Sequence, residues 1–192
     1  MTSSDLRIGS VIPDFEAETT KGKIHFHKFL EGGELSDKSD VKKSDAAKWT
    51  VFFSHPQDFT PVCTTELSEI AKLAPEFEKR GVQLIGLSCD TLESHHKWIK
   101  DVEEYGKVSV KYPIIADFDR KVATKFDMLD QQDATNVDAK GMPLTVRSVF
   151  FIDPKKVIRA VITYPASVGR NAQEILRVVD SFKQSEKFAC AT

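Results

Sequence analysis

The sequence predicts an α/β fold, and three features carry that expectation. The β-prone runs WTVFFS at 49–54 and VQLIGLS at 82–88 are each followed by a stretch with helical character. Two further β-prone runs, TVRSVFFI at 145–152 and VIRAVITY at 157–164, are joined by Asp153-Pro154-Lys155-Lys156, a hairpin turn signal. A last helical stripe closes the chain. Strand, helix, strand, helix, then a hairpin and a helix is the order of a thioredoxin-like core, here preceded by an N-terminal extension.

The extension reads as a short hairpin over 11–29, with Phe15 and Ala17 alternating before a Lys21-Gly22 turn and Ile24 and Phe26 alternating after it. Residues 31–48, EGGELSDKSDVKKSDAAK, are so polar that a solvent-exposed insertion loop is expected there. After HPQDFTP, the positions Val62, Leu67, Ile70, Ala71, Ala74 and Phe77 fall near helical spacing, with Gly81 as C-cap. Pro75 lies inside this helix and is expected to kink or divide it, because it removes a backbone donor. A helix over roughly 91–104 and a strand at PIIA, 113–116, follow. In the final helix Asn171 is placed to cap, with Glu174 three positions on, and Ile175, Val178, Val179 and Phe182 form one apolar stripe.

A chain of 192 residues suits one catalytic domain, read here as spanning 1–192, with a substantial core. Lys and Arg total 27 against 29 Asp and Glu, which excludes the basic excess of nucleic-acid or anionic-membrane binders. No stretch approaches a membrane span. The N-terminus has neither a secretory apolar core nor a transit-peptide composition, so the cytoplasm is expected, with the mitochondrion as the alternative if a presequence has been removed. Three widely spaced cysteines, Cys63, Cys89 and Cys190, fit a reducing compartment better than a disulfide framework. No Cys/His spacing suggests a metal site, and the adjacent His95 and His96 point apart on a helix, so neither metal nor cofactor is expected.

The segment His55-Pro56-Gln57-Asp58-Phe59-Thr60-Pro61-Val62-Cys63-Thr64-Thr65-Glu66 carries the chemistry. Thr60 suits the N-cap and Pro61 the first helical position, which puts Cys63 in the first turn. Unpaired N–H groups and the helix dipole favour an anion there, and thiolates rather than thiols are the nucleophiles. A small buried hydrophobe is the other reading of such a cysteine. A dithiol oxidoreductase needs a second cysteine three residues on, where this chain has Glu66. A lone thiolate attacks electrophiles such as a peroxide, an acyl group or a small disulfide.

The run Pro56-x-x-x-Thr60-x-x-Cys63 resembles the peroxiredoxin active-site motif, and SHPQDFTPVCTTE is similar to the one-cysteine, Prx6-type subfamily. The resemblance continues through KLAPEF, RGVQLIGLS, YPII, Gly141-Met142-Pro143, TVRSVF and TYPASVGRNAQEILRVVDS. It implies a thiol-dependent peroxidase for hydrogen peroxide and organic hydroperoxides, serving antioxidant defence. The alternative is a peroxide sensor or chaperone-like oligomer. Cys63 is then the nucleophile that becomes a sulfenic acid. Thr60 is implied to hydrogen-bond the peroxide, Pro56 to shield the thiolate, and Arg147 to stabilise thiolate and transition state. Read without the family, Arg147 is an outward charge on an alternating strand. Glu66 orienting the arginine and His55 contacting the thiol environment complete the implied set.

The resemblance also implies partners: a hydroperoxide, an external thiol reductant (glutathione with glutaredoxin, or thioredoxin) and a second copy in a homodimer, with higher oligomers in some relatives. Neither Cys89 nor Cys190 stands where two-cysteine relatives keep their resolving thiol, although pairing of Cys190 with Cys63 stays open. Relatives credited with lipase activity carry a Gly-x-Ser-x-Gly-like segment where this chain reads SDAAKWTVFFSHP, so no phospholipase activity is expected and His27 is read as structural or exposed. The family continues into a C-terminal arm, whereas the sequence stops at SEKFACAT; residues 185–192 are read as the start of a truncated arm.

Overall fold

The structure, a computed structural model, describes residues 6–32 and 48–188. Most of the polar 31–48 insertion and all of Cys190 therefore lie outside the described residues. Among the described residues the sheet has seven strands: β1 (Glu16–Thr19), β2 (Gly22–His25), β3 (Trp49–Ser54), β4 (Val82–Ser88), β5 (Ile114–Ala116), β6 (Arg147–Ile152) and β7 (Ile158–Tyr164), in the order β2-β1-β5-β4-β3-β6-β7. The β3, β4 and β5 strands run parallel, whereas β6 and β7 are antiparallel to their neighbours. The five helices among the described residues are α1 (Phe26–Leu30), α2 (Pro61–Lys79), α3 (Leu92–Gly106), α4 (Lys121–Lys125) and α5 (Ala172–Phe188). A mixed α/β, thioredoxin-like architecture with an N-terminal hairpin is what the element order anticipates.

Every residue of β3 and β6 is buried. Strand alternation then divides them between two cores. Trp49, Val51, Phe53, Val149 and Phe151 face α2, α3 and α5. Phe52, Phe150 and Ile152 face the opposite core with Phe26, Phe29 and Phe126. In that second core Phe126 meets Phe15, Phe26, Phe52 and Phe150 with rings 5.2–6.3 Å apart, all edge-on. Phe126→Ala is expected to lower stability by about 3–5 kcal/mol, read from the urea midpoint, since it removes a ring that rigid neighbours cannot replace.

Several local expectations need correction. The alternation after Lys21-Gly22 ends at His25, because Phe26 opens the short helix α1 and turns inward with Phe29 and Leu30. Pro75 does not divide α2, which runs unbroken from Pro61 to Lys79. Burial of Leu67, Ile70, Ala71 and Phe77 along one face holds both halves despite the missing donor. Arg80 is the C-cap, and Gly81 follows it at φ +66°, where a side chain is strained. Gly106 is held to its size by α2: a Cβ there would stand 2.7 Å from Ser68 Cβ. Asn171 Oδ1 accepts from Gln173 N at 2.9 Å, but Glu174 turns away to Arg177 at 2.7 Å rather than closing a capping box. Residues 185–188, read as the start of an arm, are the last turn of α5.

Candidate active site

The β3 strand ends at Ser54, and the chain crosses the top of the sheet in six residues before α2 begins. Thr60 stands at the N-cap in extended conformation with Pro61 at the first helical position. Its hydroxyl does not cap the helix. It donates to Gln57 O at 3.1 Å, while Thr60 O accepts from Thr64 N and Thr64 Oγ1 at 2.9 and 2.8 Å. The preceding Phe59 is a non-glycine residue at φ +57°, a conformation that costs roughly 1–2 kcal/mol and is kept only where the surroundings demand it. Pro56 is buried and Thr60 half-buried.

Cys63 lies on the inner face of the first α2 turn, fully buried. The guanidinium of Arg147, at the start of β6, reaches it from below: Nη1 donates to Cys63 Sγ at 3.4 Å. The outward-facing reading of Arg147 is therefore wrong, since the residue is only 3% exposed. Charge pairing makes that burial tolerable. Nη1 also donates to Glu66 Oε2 at 2.5 Å, and Nε donates to Ala166 O at 2.9 Å.

Sequence reasoning missed Arg170. Its backbone N–H and Nε both donate to Glu66 Oε1, Nη2 donates to Glu66 Oε2 at 3.2 Å, and Nη1 donates to Ser148 O at 3.1 Å. The guanidinium also lies 5.6 Å over the Phe53 ring. Glu66 thus holds two buried arginines together, one turn along α2 from the thiol. Burial pushes the Glu66 carboxyl up, but Arg170 and then Arg147 outweigh it and hold the carboxyl below its ordinary value of 4.5. The only sequence signal for Arg170 is its place just before a helix N-terminus, beside the capping Asn171.

His55 and its neighbours form a second buried cluster. His55 Nε2 donates to Asp58 Oδ1 at 2.9 Å, its ring lies tilted against Trp98 with centroids 4.9 Å apart, and its Nδ1 has no hydrogen-bond partner. The polar contact of His55 therefore runs to Asp58 and not to the thiol. Among the described residues, His55, Asp58 and His95 each bring a potential metal-ligand atom within 4.8 Å of the others, which sequence spacing could not anticipate. Here Asp58 uses these contacts as hydrogen bonds. His27 Nε2 sits 2.7 Å from Ile12 O, fastening the N-terminal segment. Cys89 is buried, and burial pushes its thiol up to about 12.

A buried thiol in a first helical turn, bonded to a carboxylate-held arginine, sets the frame for comparison with known proteins. The AhpC/TSA family model matches residues 8–161. This chain belongs to the peroxiredoxins. It is 50% identical over 188 residues to the mitochondrial peroxiredoxin PRX1 of Saccharomyces cerevisiae, covering 97% of this chain and 66% of that protein. Peroxiredoxin-6 of Gallus gallus is 48% identical over 182 residues, covering 93% of this chain and 73% of the relative. The solved structure of a cysteine-to-serine variant of Arenicola marina peroxiredoxin 6 superposes with a TM-score of 0.82 at 44% identity, over 94% of this chain and 75% of the other. The yeast mitochondrial 1-Cys peroxiredoxin, solved in a study of thiol resolution through the glutathione and thioredoxin systems, gives 0.80 at 48%, over 97% and 81%. The one-cysteine, thiol-peroxidase class of peroxiredoxin read from the motif is thus the class of its relatives.

Proposed function

We propose that this peroxiredoxin reduces hydrogen peroxide and organic hydroperoxides in a one-cysteine cycle centred on Cys63. The observation that carries the reading is Arg147 Nη1 at 3.4 Å from Cys63 Sγ in the first turn of α2. The guanidinium and the first-turn N–H groups favour the thiolate and the negative charge that develops as the O–O bond breaks. Thr60 spends its hydroxyl hydrogen on Gln57 O, which leaves the oxygen lone pairs to accept the peroxide O–H. Pro56, buried in the same loop, shields the thiolate from water.

In the chemical step the Cys63 sulfur attacks the distal peroxide oxygen. An S–O bond forms, the O–O bond breaks, and the leaving hydroxide or alkoxide takes up a proton to give water or an alcohol. Cysteine is oxidised to the sulfenic acid as the peroxide is reduced. An external thiol then attacks the sulfenic sulfur, expelling water and leaving a mixed disulfide that a second thiol reduces. Glutathione or thioredoxin supplies those thiols, in line with the systems named for the yeast relative. A second copy docks in the working enzyme, and edge strand β7, with Val161 36% exposed, is a suitable surface. Of the two compartments expected from sequence, the mitochondrial one is that of PRX1.

One equivalent of hydrogen peroxide added with a sulfenic-acid trap is expected to give a single adduct at Cys63, with Cys89 left as the thiol in peptide mass spectra. Loss of two hydrogens, with no adduct, would mean a resolving thiol and overturn the one-cysteine cycle.

A further inference from the structure

Residues 55–60 carry Pro56 and Thr60 but form no helix or strand of their own. Their fixed point is Asp58, only 4% exposed. Oδ1 accepts from His55 Nε2 at 2.9 Å, and Oδ2 accepts from Ser94 Oγ at 2.7 Å and His95 Nδ1 at 2.8 Å. Asp58 N donates to Asp90 Oδ2 at 2.9 Å. Ser94 and His95 lie in the first turn of α3 and Asp90 just before it, so this single side chain ties the loop above Cys63 to a separate helix. The other ring nitrogen of His95 faces Ile115 O at 3.2 Å. Both ring nitrogens of His95 therefore face oxygen atoms, which fixes the ring between the loop and β5. A buried carboxylate that meets two imidazoles and a hydroxyl has its charge compensated by hydrogen bonds.

We propose that Asp58 is a positioning residue of the peroxide pocket, setting where Pro56 and Thr60 stand relative to Cys63. The proposal rests on the peroxidase reading above. Phe59, directly after Asp58, keeps its left-handed φ of +57° while 54% exposed, so its own packing does not enforce the conformation. The Asp58 clamp on one side and the Thr60 N-cap on the other do. The thiol hangs from different ties: Arg147 holds Sγ, and Trp98 Nε1 donates to Thr64 Oγ1 at 3.0 Å on the same helical turn. Loosening Asp58 therefore moves the groups that receive peroxide while leaving the nucleophile in place.

Two rates separate these effects. Stopped-flow fluorescence, with Trp98 reporting beside His55, follows oxidation by hydrogen peroxide; alkylation by iodoacetamide follows the thiolate alone. Asp58→Asn is expected to slow oxidation on the order of a hundredfold, as small misplacements of reacting groups do, with alkylation within about threefold of the parent. His95→Leu is expected to act in the same direction without touching Asp58, and His95→Asn, whose Nδ2 replaces the imidazole Nδ1, to recover most of the rate. Far-UV circular dichroism and thermal melts confirm that each variant is folded. Parental oxidation rates in folded Asp58→Asn and His95→Leu, or parallel loss of oxidation and alkylation, would overturn the proposal. A parent that forms no sulfenic acid at Cys63 refutes the peroxidase reading instead.

Discussion

Cys63→Ser is expected to abolish peroxide reduction, lowering the rate constant for hydrogen peroxide by at least roughly 10⁴-fold, since removing a catalytic nucleophile elsewhere costs up to about 10⁶. The change is small in volume and keeps an acceptor for Arg147 Nη1, so the Glu66 pair and the fold are expected to survive it. What goes is the anion: a serine hydroxyl stays protonated where a thiol ionises, and only the ionised form attacks the O–O bond. Competition against a peroxidase of known rate measures the loss, with a thermal melt as the folding control. Retained peroxide consumption in folded Cys63→Ser would place the nucleophile at another residue and dismantle the site described here.

Arg147→Leu carries the second largest expected effect, a fall on the order of 10²–10³ in the same rate constant, the usual consequence of removing one preorganised donor from developing negative charge. Arg147→Lys is expected to restore little. A single ammonium cannot reproduce the fork that meets Cys63 Sγ, Glu66 Oε2 and Ala166 O together. The variant also changes acid stability. Glu66 titrates below 4.5 in the folded protein, so it contributes stability that is present above 4.5 and lost as pH falls through the lower folded value. With Arg147 removed and Arg170 left alone, the folded value moves back toward 4.5 and that contribution shrinks, measurable as an acid unfolding midpoint at higher pH. A parental peroxide rate in Arg147→Leu would show that the guanidinium is structural only.

The reach of the sequence can be judged from particular residues. Cys63 was legible because its signal is local: a cap, a proline and a first helical turn lie within four residues, and helix ends obey short-range rules. The strands WTVFFS and VQLIGLS were legible because burial on both faces leaves nearly continuous apolar runs. Arg147 was legible only through the family motif, because an arginine among β-branched residues reads equally as a solvent-facing position. Arg170 and Asp58 were not legible at all. Arg170 meets Glu66 104 residues away, and Asp58, beside its local contact to His55, meets His95 37 residues away; no spacing rule spans such distances.

By itself, then, the sequence determined the long helices, the main strands and which cysteine stands at a helix N-terminus, since propensity, capping and apolar periodicity act over a few residues. It also shows no CxxC pair, which disfavours dithiol exchange at Cys63. Only the tertiary structure decided that Arg147 turns inward, that Glu66 holds two guanidinium groups, and that Asp58 ties the loop over Cys63 to α3. Those choices depend on charge compensation in a space closed to water, where each buried polar atom needs a partner and the sheet order decides which distant residue provides it.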